Sequence, residues 1–165
     1  MRHSKDALKL AEKYADTMKA CAAYVSVNRP AVREPGAVYG LVRPLMDAAT
    51  GDTQEVFMVI LLNTKNRPIG IPRECTRGLL DTSPVHPREI FRDAVRECAS
   101  SIVLAHNHPS GDPTPSKEDV DITRRLIESS RILGIRVVDH VVCGRPTETN
   151  PGYVSLREKN LIAFD

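Results

Sequence analysis

From Ser4 to about Ala23, the apolar residues Ala7, Leu8, Leu10, Ala11, Tyr14, Ala15 and Met18 recur at helical spacing. This predicts an amphipathic helix with Ser4 available as its N-cap. The stretch from Asn28 to Gly36 carries two prolines and breaks it, and a second helix is predicted from Pro35 to about Ala49, closed by Gly51. The pattern then changes. Glu55 to Leu62 (EVFMVILL) is a continuous apolar run of strand length, as expected for a strand covered on both faces. Thr64 to Pro68 supplies a turn, and Ile69 to about Thr76 can return antiparallel, with Pro72 placing that return near an edge or a bulge. Ser83 to Glu89 opens a helix through Ile90, Phe91, Ala94, Val95 and Cys98, and a buried strand follows at Ser101 to Ala105. A loop rich in Pro and Gly runs from His106 to Pro115; Ser116 caps the next helix, which Gly134 ends. Ile135 to Cys143 is another strand, and Tyr153 to Leu156 with a short last helix completes the chain. This order predicts an α/β protein, a three-layer α/β/α sandwich with a mixed sheet.

At 165 residues the chain fits one such layered domain preceded by a helical arm, with the arm at residues 1–31 and the domain at 32–165. A domain of this size stabilises itself without disulfides or a structural metal, so a metal here would serve chemistry. The composition, 41% hydrophobic and 27% charged, excludes disordered and fibrous classes. The net charge of +2 is unevenly spread. Residues 1–33 carry seven Lys/Arg against three Asp/Glu, or +4, and the remainder carries sixteen against eighteen, or −2. The arm is therefore basic, which suits a solvated helix or contact with an acidic partner such as nucleic acid. Cys21, Cys75, Cys98 and Cys143 form no Cys-x-x-Cys pair, so they read as reduced thiols. With neither an apolar leader after Met1 nor a run of 18 apolar residues, the expected location is the cytoplasm, with no membrane partner.

The chemistry concentrates in the loop after the second buried strand. His106 and His108 are two apart, so in a strand continuing from Ala105 their side chains leave the same face. Asp119, in the first turn of the next helix, can swing a carboxylate back toward them. Two imidazoles and a carboxylate leave a fourth tetrahedral position for water, the open arrangement of catalytic zinc sites. Asp119 three residues after Ser116 is equally the pattern of a helix capping box.

The string His106-x-His108-Pro109, followed by Ser116-x-x-Asp119, resembles the JAMM motif of the MPN/JAB metalloprotease family. The wider run from Leu104 through Asp112-Pro113 to Asp139-His140, with Arg88-Glu89 and Tyr153 to Leu156, resembles its bacterial RadC branch over about residues 32–165. The resemblance implies the MPN/JAB fold, similar to that of cytidine deaminase, and one Zn2+ per chain. It assigns His106, His108 and Asp119 as zinc ligands, Ser116 as oxyanion donor and Glu55, opening the first buried strand, as the general base. Glu74 and Glu89 compete for that last role. It further implies hydrolysis of a peptide or isopeptide bond, with a peptide or protein as substrate. Asn107 stands where eukaryotic members usually carry Ser or Thr, which fits the RadC branch and argues against ubiquitin isopeptidase activity. The helix-hairpin-helix-like DNA-binding region common in that branch is not matched by the arm.

His140 reads either as a group orienting a ligand or as a satisfied core histidine, and His86 and His3 read as surface residues. A second class of function is a non-catalytic DNA-associated accessory module of the RadC type, relying on the basic arm. A zinc deaminase is excluded, because neither its His-x-Glu nor its Pro-Cys-x-x-Cys occurs. The literal triplet His106-Asn107-His108 is not an HNH nuclease motif, whose residues are dispersed over a ββα unit.

Overall fold

The computed structural model describes residues 2–28, 30–78 and 85–164, with side chains from residue 8 onward. Its elements are α1 (Arg2–Asn28), α2 (Pro35–Thr50), β1 (Val56–Leu62), β2 (Arg73–Arg77), α3 (Pro87–Arg96), β3 (Ser101–Asn107), α4 (Lys117–Leu133), β4 (Arg136–Cys143) and β5 (Tyr153–Ser155). The five strands form one sheet in the order β2-β1-β3-β4-β5, in which only β3 and β4 run parallel.

The two fully buried strands β1 and β3 divide their alternate side chains between two cores. Val56, Met58, Ile60, Val103 and Ala105 face α1 and α2, where they meet Val38, Leu41, Val42, Leu45 and Met46. Phe57, Val59, Leu61, Ile102 and Leu104 face α3 and α4, where they meet Ile90, Phe91, Leu126 and Ile127. Burying each such side chain contributes about 1.5–3 kcal/mol. The result is the three-layer mixed-sheet sandwich expected from the order of elements. On the α1 side, Tyr14, Met18 and Cys21 pack against this core and Val25 is buried in it.

Several boundaries differ from the periodicity. Helix α1 begins at Arg2, before Ser4, and continues to Asn28, because Tyr14, Met18, Cys21 and Val25 keep one stripe in contact with the first core. Strand β2 starts after Pro72 and lies at the sheet edge, with a register shift opposite Phe57 and Met58. The expected opening of α3 at Ser83 falls outside the described residues; α3 starts at Pro87 with a half-buried His86 as its N-cap residue. His3 also lies outside the described side chains. The short last helix does not form: after β5 the chain makes turns, held by Lys159 N–H to Ser155 O at 3.1 Å and Leu161 N–H to Leu156 O at 3.1 Å. No described helix is long and apolar enough to cross a membrane, and all four cysteines are free thiols.

Strand β4 contains the irregularity that matters most for the site. Ile102 pairs with Val137, but the next residue, Val103, pairs with Asp139, so one residue of β4 is extra. Val137 faces the α3/α4 core, whereas Val141 and Cys143 face the α1/α2 core. The alternation is reset across the bulge, and His140 lies on the α4 side of the sheet.

Candidate metal centre

Strand β3 extends two residues past the expected end at Ala105, so His106 and Asn107 are strand residues and the loop starts at His108. Antiparallel pairing of Phe57 with His106 extends the ladder, and His108 N–H donates to Cys143 O at 2.9 Å as the chain leaves it. His106 inherits the face of Ile102 and Leu104, which looks toward the N-terminus of α4. Phe57 stacks on its ring, with centroids 5.9 Å apart and planes 3° from parallel. A tight loop then returns His108: Gly111 N–H donates to His108 O at 2.9 Å and Arg145 N–H donates to Gly111 O at 2.8 Å.

Helix α4 is opened by a complete capping box. Ser116 Oγ accepts from Asp119 N–H at 3.1 Å, and Asp119 Oδ2 accepts from Ser116 N–H at 2.7 Å. Asp119 Oδ2 also accepts from the Ser116 hydroxyl at 2.7 Å. The two readings of Ser116-x-x-Asp119 are thus compatible. The cap fixes one carboxylate oxygen, while Oδ1 lies 3.0 Å from His106 Nε2; Oδ2 itself is 3.3 Å from His108 Nε2.

Glu55, immediately before β1, completes the group. Its Oε1 is 3.7 Å from His106 Nε2, and its side chain is only 11% exposed. One donor atom from each of Glu55, His106, His108 and Asp119 lies within 4.8 Å of the others, and this is the group among the described residues that can hold a metal ion. Glu74 is instead engaged by Arg77 at 2.7 and 2.8 Å and by the Tyr14 hydroxyl at 3.2 Å, and Glu89 sits in the first turn of α3 outside the group.

The proton positions can be deduced from a buried chain of partners. The carbonyl of Asp119 can only accept, so the Thr123 hydroxyl donates to it. Thr123 Oγ1, 2.6 Å from His140 Nδ1, then accepts from that nitrogen. Neutral His140 keeps its lone pair on Nε2, 2.8 Å from His106 Nδ1, and accepts from it. The lone pair of His106 therefore lies on Nε2. By the same reasoning His108 Nδ1 donates to Asp112 O at 2.8 Å, so the lone pair of neutral His108 is also on Nε2. Two nitrogen lone pairs 3.1 Å apart and the Asp119 carboxylate converge, a donor set that suits a divalent cation such as zinc.

Electrostatics agree with the neutral state of His140. Burial, with His106 adding to it, pushes His140 well below its ordinary pKa and keeps it neutral. Burial also acts to raise the Asp119 pKa, but His106 and His108, when a second proton occupies Nε2, and the Ser116 hydroxyl donate to the carboxylate and hold it well below the usual carboxylate range. For His108, burial lowers the pKa, yet the hydrogen bonds to Asp119 and the Asp112 carbonyl and the Glu55 charge raise it overall. A metal ion held by this group would compete with a proton for that nitrogen.

The sequence reading missed Thr123 and the structural part of Asn107. Thr123 is four residues after Asp119, one helical turn on, a spacing that could have indicated it. Asn107 points to the opposite face of β3, where it accepts from Val56 N–H at 2.7 Å and donates to Gln54 O at 3.2 Å.

A family model described as a RadC-like JAB domain matches residues 32–161. The chain is 45% identical over 137 residues to a UPF0758 protein of Moorella thermoacetica, covering 83% of this chain and 56% of that protein. It is 49% identical over 129 residues to one of Symbiobacterium thermophilum, covering 78% and 51%. It is 52% identical over 109 residues to one of Clostridium beijerinckii, covering 66% and 45%. The chain spans about half the length of these relatives.

Proposed function

The chain belongs to the RadC-like JAB domain family, and on that footing we propose that it is a zinc-dependent metallohydrolase of JAMM type, which cleaves a peptide or isopeptide bond. The convergence of Glu55, His106, His108 and Asp119 at one end of β3 carries this reading. His106 and His108, through Nε2, and Asp119, through its carboxylate, would hold one Zn2+. When bound, the ion would supply Lewis acidity for activating water and polarising the scissile carbonyl. Glu55 takes the proton from the attacking water on its carboxylate and delivers it to the leaving nitrogen. Ser116 is the oxyanion donor. Its hydroxyl, now directed at Asp119 Oδ2, can turn to the developing charge while its N–H keeps that oxygen occupied.

Metal content and hydrolysis of a quenched-fluorophore peptide library test the assignment together. Glu55→Gln is expected to retain one zinc per chain and lose cleavage, whereas His106→Ala and Asp119→Ala lose zinc. Full zinc occupancy in both of the latter variants would overturn the ligand assignment. The accessory-module reading draws on the exposed Lys9, Lys13 and Lys19 of α1. Salt-dependent DNA binding that is lost on deleting residues 1–33 and unchanged in Glu55→Gln would favour it.

A further inference from the structure

The residue between the two histidines faces away from them. Asn107 is fully buried, on the α1/α2 side of β3, and its amide closes on the chain just before β1. Its Oδ1 accepts from Val56 N–H at 2.7 Å, and its Nδ2 donates to Gln54 O at 3.2 Å and to Asp52 Oδ1 at 3.4 Å. The amide's orientation is unambiguous, because a backbone N–H stands on one side and a carbonyl and a carboxylate on the other. These contacts bracket a single residue, Glu55. The regular β1–β3 pairing ends at Phe57 and His106, so beyond that point the Asn107 side chain takes the place of the ladder. Asp52 is itself anchored, by Arg43 and by Arg145 at 3.1 and 3.2 Å, with its backbone in the left-handed region at φ 62°. The bracket is therefore tied to a fixed point.

We propose that Asn107 is a positioning residue for Glu55: strand β3 presents a metal ligand on one face with His106 and, with the next residue, locks the backbone on both sides of the general base. One strand thereby sets the distance between ligand and base, which has to hold to within about 0.5 Å for productive chemistry. The proposal rests on the hydrolase reading, in which Glu55 serves the water on the metal.

Cobalt(II) alone, bound in place of zinc, provides a test that does not depend on a substrate. Its visible absorption responds to the ligands and to polar groups against them. Glu55→Gln is expected to shift the band, Asn107→Ala to shift it the same way, and the double variant to add nothing to Glu55→Gln. Metal affinity in Asn107→Ala stays within about tenfold of wild type, the low end of what losing a ligand's own partner costs. If Asn107→Ala does not fold, Asn107→Asp carries the comparison, since it keeps the acceptor for Val56 and removes the donors to Gln54 and Asp52. A wild-type band in the Asn107 variant beside a shifted band in Glu55→Gln overturns the positioning role and leaves the hydrolase reading standing. Additive shifts in the double variant also overturn it. A wild-type band in Glu55→Gln overturns the assignment of Glu55, and the proposal with it.

Discussion

Replacing His140 by alanine removes the middle of the chain that fixes the His106 tautomer. The deletion strands one buried group, the Nδ1–H of His106, and takes away the proton that Thr123 Oγ1 accepts while leaving its bond to the Asp119 carbonyl; both residues are fully buried. Each unsatisfied buried polar group costs about 1–3 kcal/mol, and water entering the vacated ring volume recovers part of this. A net loss of about 2 kcal/mol results, equivalent to a fall in Tm of about 4–8 °C for a chain of this size. Zinc affinity falls by about 10–100-fold, because His106 no longer holds its proton on Nδ1 and its lone pair on Nε2. His140→Gln separates orientation from packing. Its amide has one acceptor for His106 and one donor for Thr123, matching the polarity of neutral imidazole, whereas His140→Leu fills space and satisfies neither. The assays are competition for zinc against a chromophoric chelator and thermal unfolding followed by circular dichroism. The expected order of zinc affinity is wild type, Gln, then Leu and Ala. Equal zinc affinity in all four proteins, or Leu binding as tightly as Gln, would refute the directional chain.

The same region yields two more expected outcomes. In metal-free protein the pKa of His108 is raised above its ordinary 6.5, so its contribution to stability is complete below that pH and is lost as pH rises through the raised value. Stability of chelator-treated protein should therefore decline over that window while zinc affinity increases, since the ion displaces the proton; a melting profile that rises with pH over this interval would contradict the assignment. Gly144 lies where an added Cβ would sit 2.3 Å from Gly111 O and 2.7 Å from Pro113. Gly144→Ala should displace the loop carrying His108, lowering both Tm and zinc affinity, and an unchanged affinity would show that the loop yields without moving the ligand.

The layers and the convergence of His106, His108 and Asp119 were legible because they come from local rules. Continuous apolar runs at Glu55 to Leu62 and Ser101 to Ala105 read directly as buried strands, and the two-residue spacing of His106 and His108 placed both imidazoles together. What was hidden depended on pairing between distant segments. His106 and Asn107 joined β3 because β1 and β4 offered partners for them, which no propensity of polar residues announces. The α4-side placement of His140 was invisible because Arg136 to Cys143 (RVVDHVVC) sets its apolar and polar residues in adjacent pairs, with no alternation to reveal a reset of phase. Counting by twos from Val137 puts His140 on the wrong face. The final helix failed for a related reason: the turns after Ser155 are tied to Asp139, whose carboxylate accepts from Ser155 Oγ at 2.7 Å and from Arg157 N–H at 3.2 Å.

The extra residue in β4 also bears on how this strand tolerates insertions and deletions. A strand one residue shorter at the bulge would pair regularly and present the same side chains to the same layers, so the face of each is set by its pairing with β3 and survives without the bulge. The bulge's own contribution is rotational, since it tightens the local right-handed coil of the strand and re-aims the residues beyond it. Loss of a residue within the bulge would leave the ladder whole and turn the His140 ring about the strand axis, whereas loss of a residue after it would exchange the two faces outright. Length polymorphism in this strand should thus be confined to Val138, which the register skips between the pairs Ile102–Val137 and Val103–Asp139.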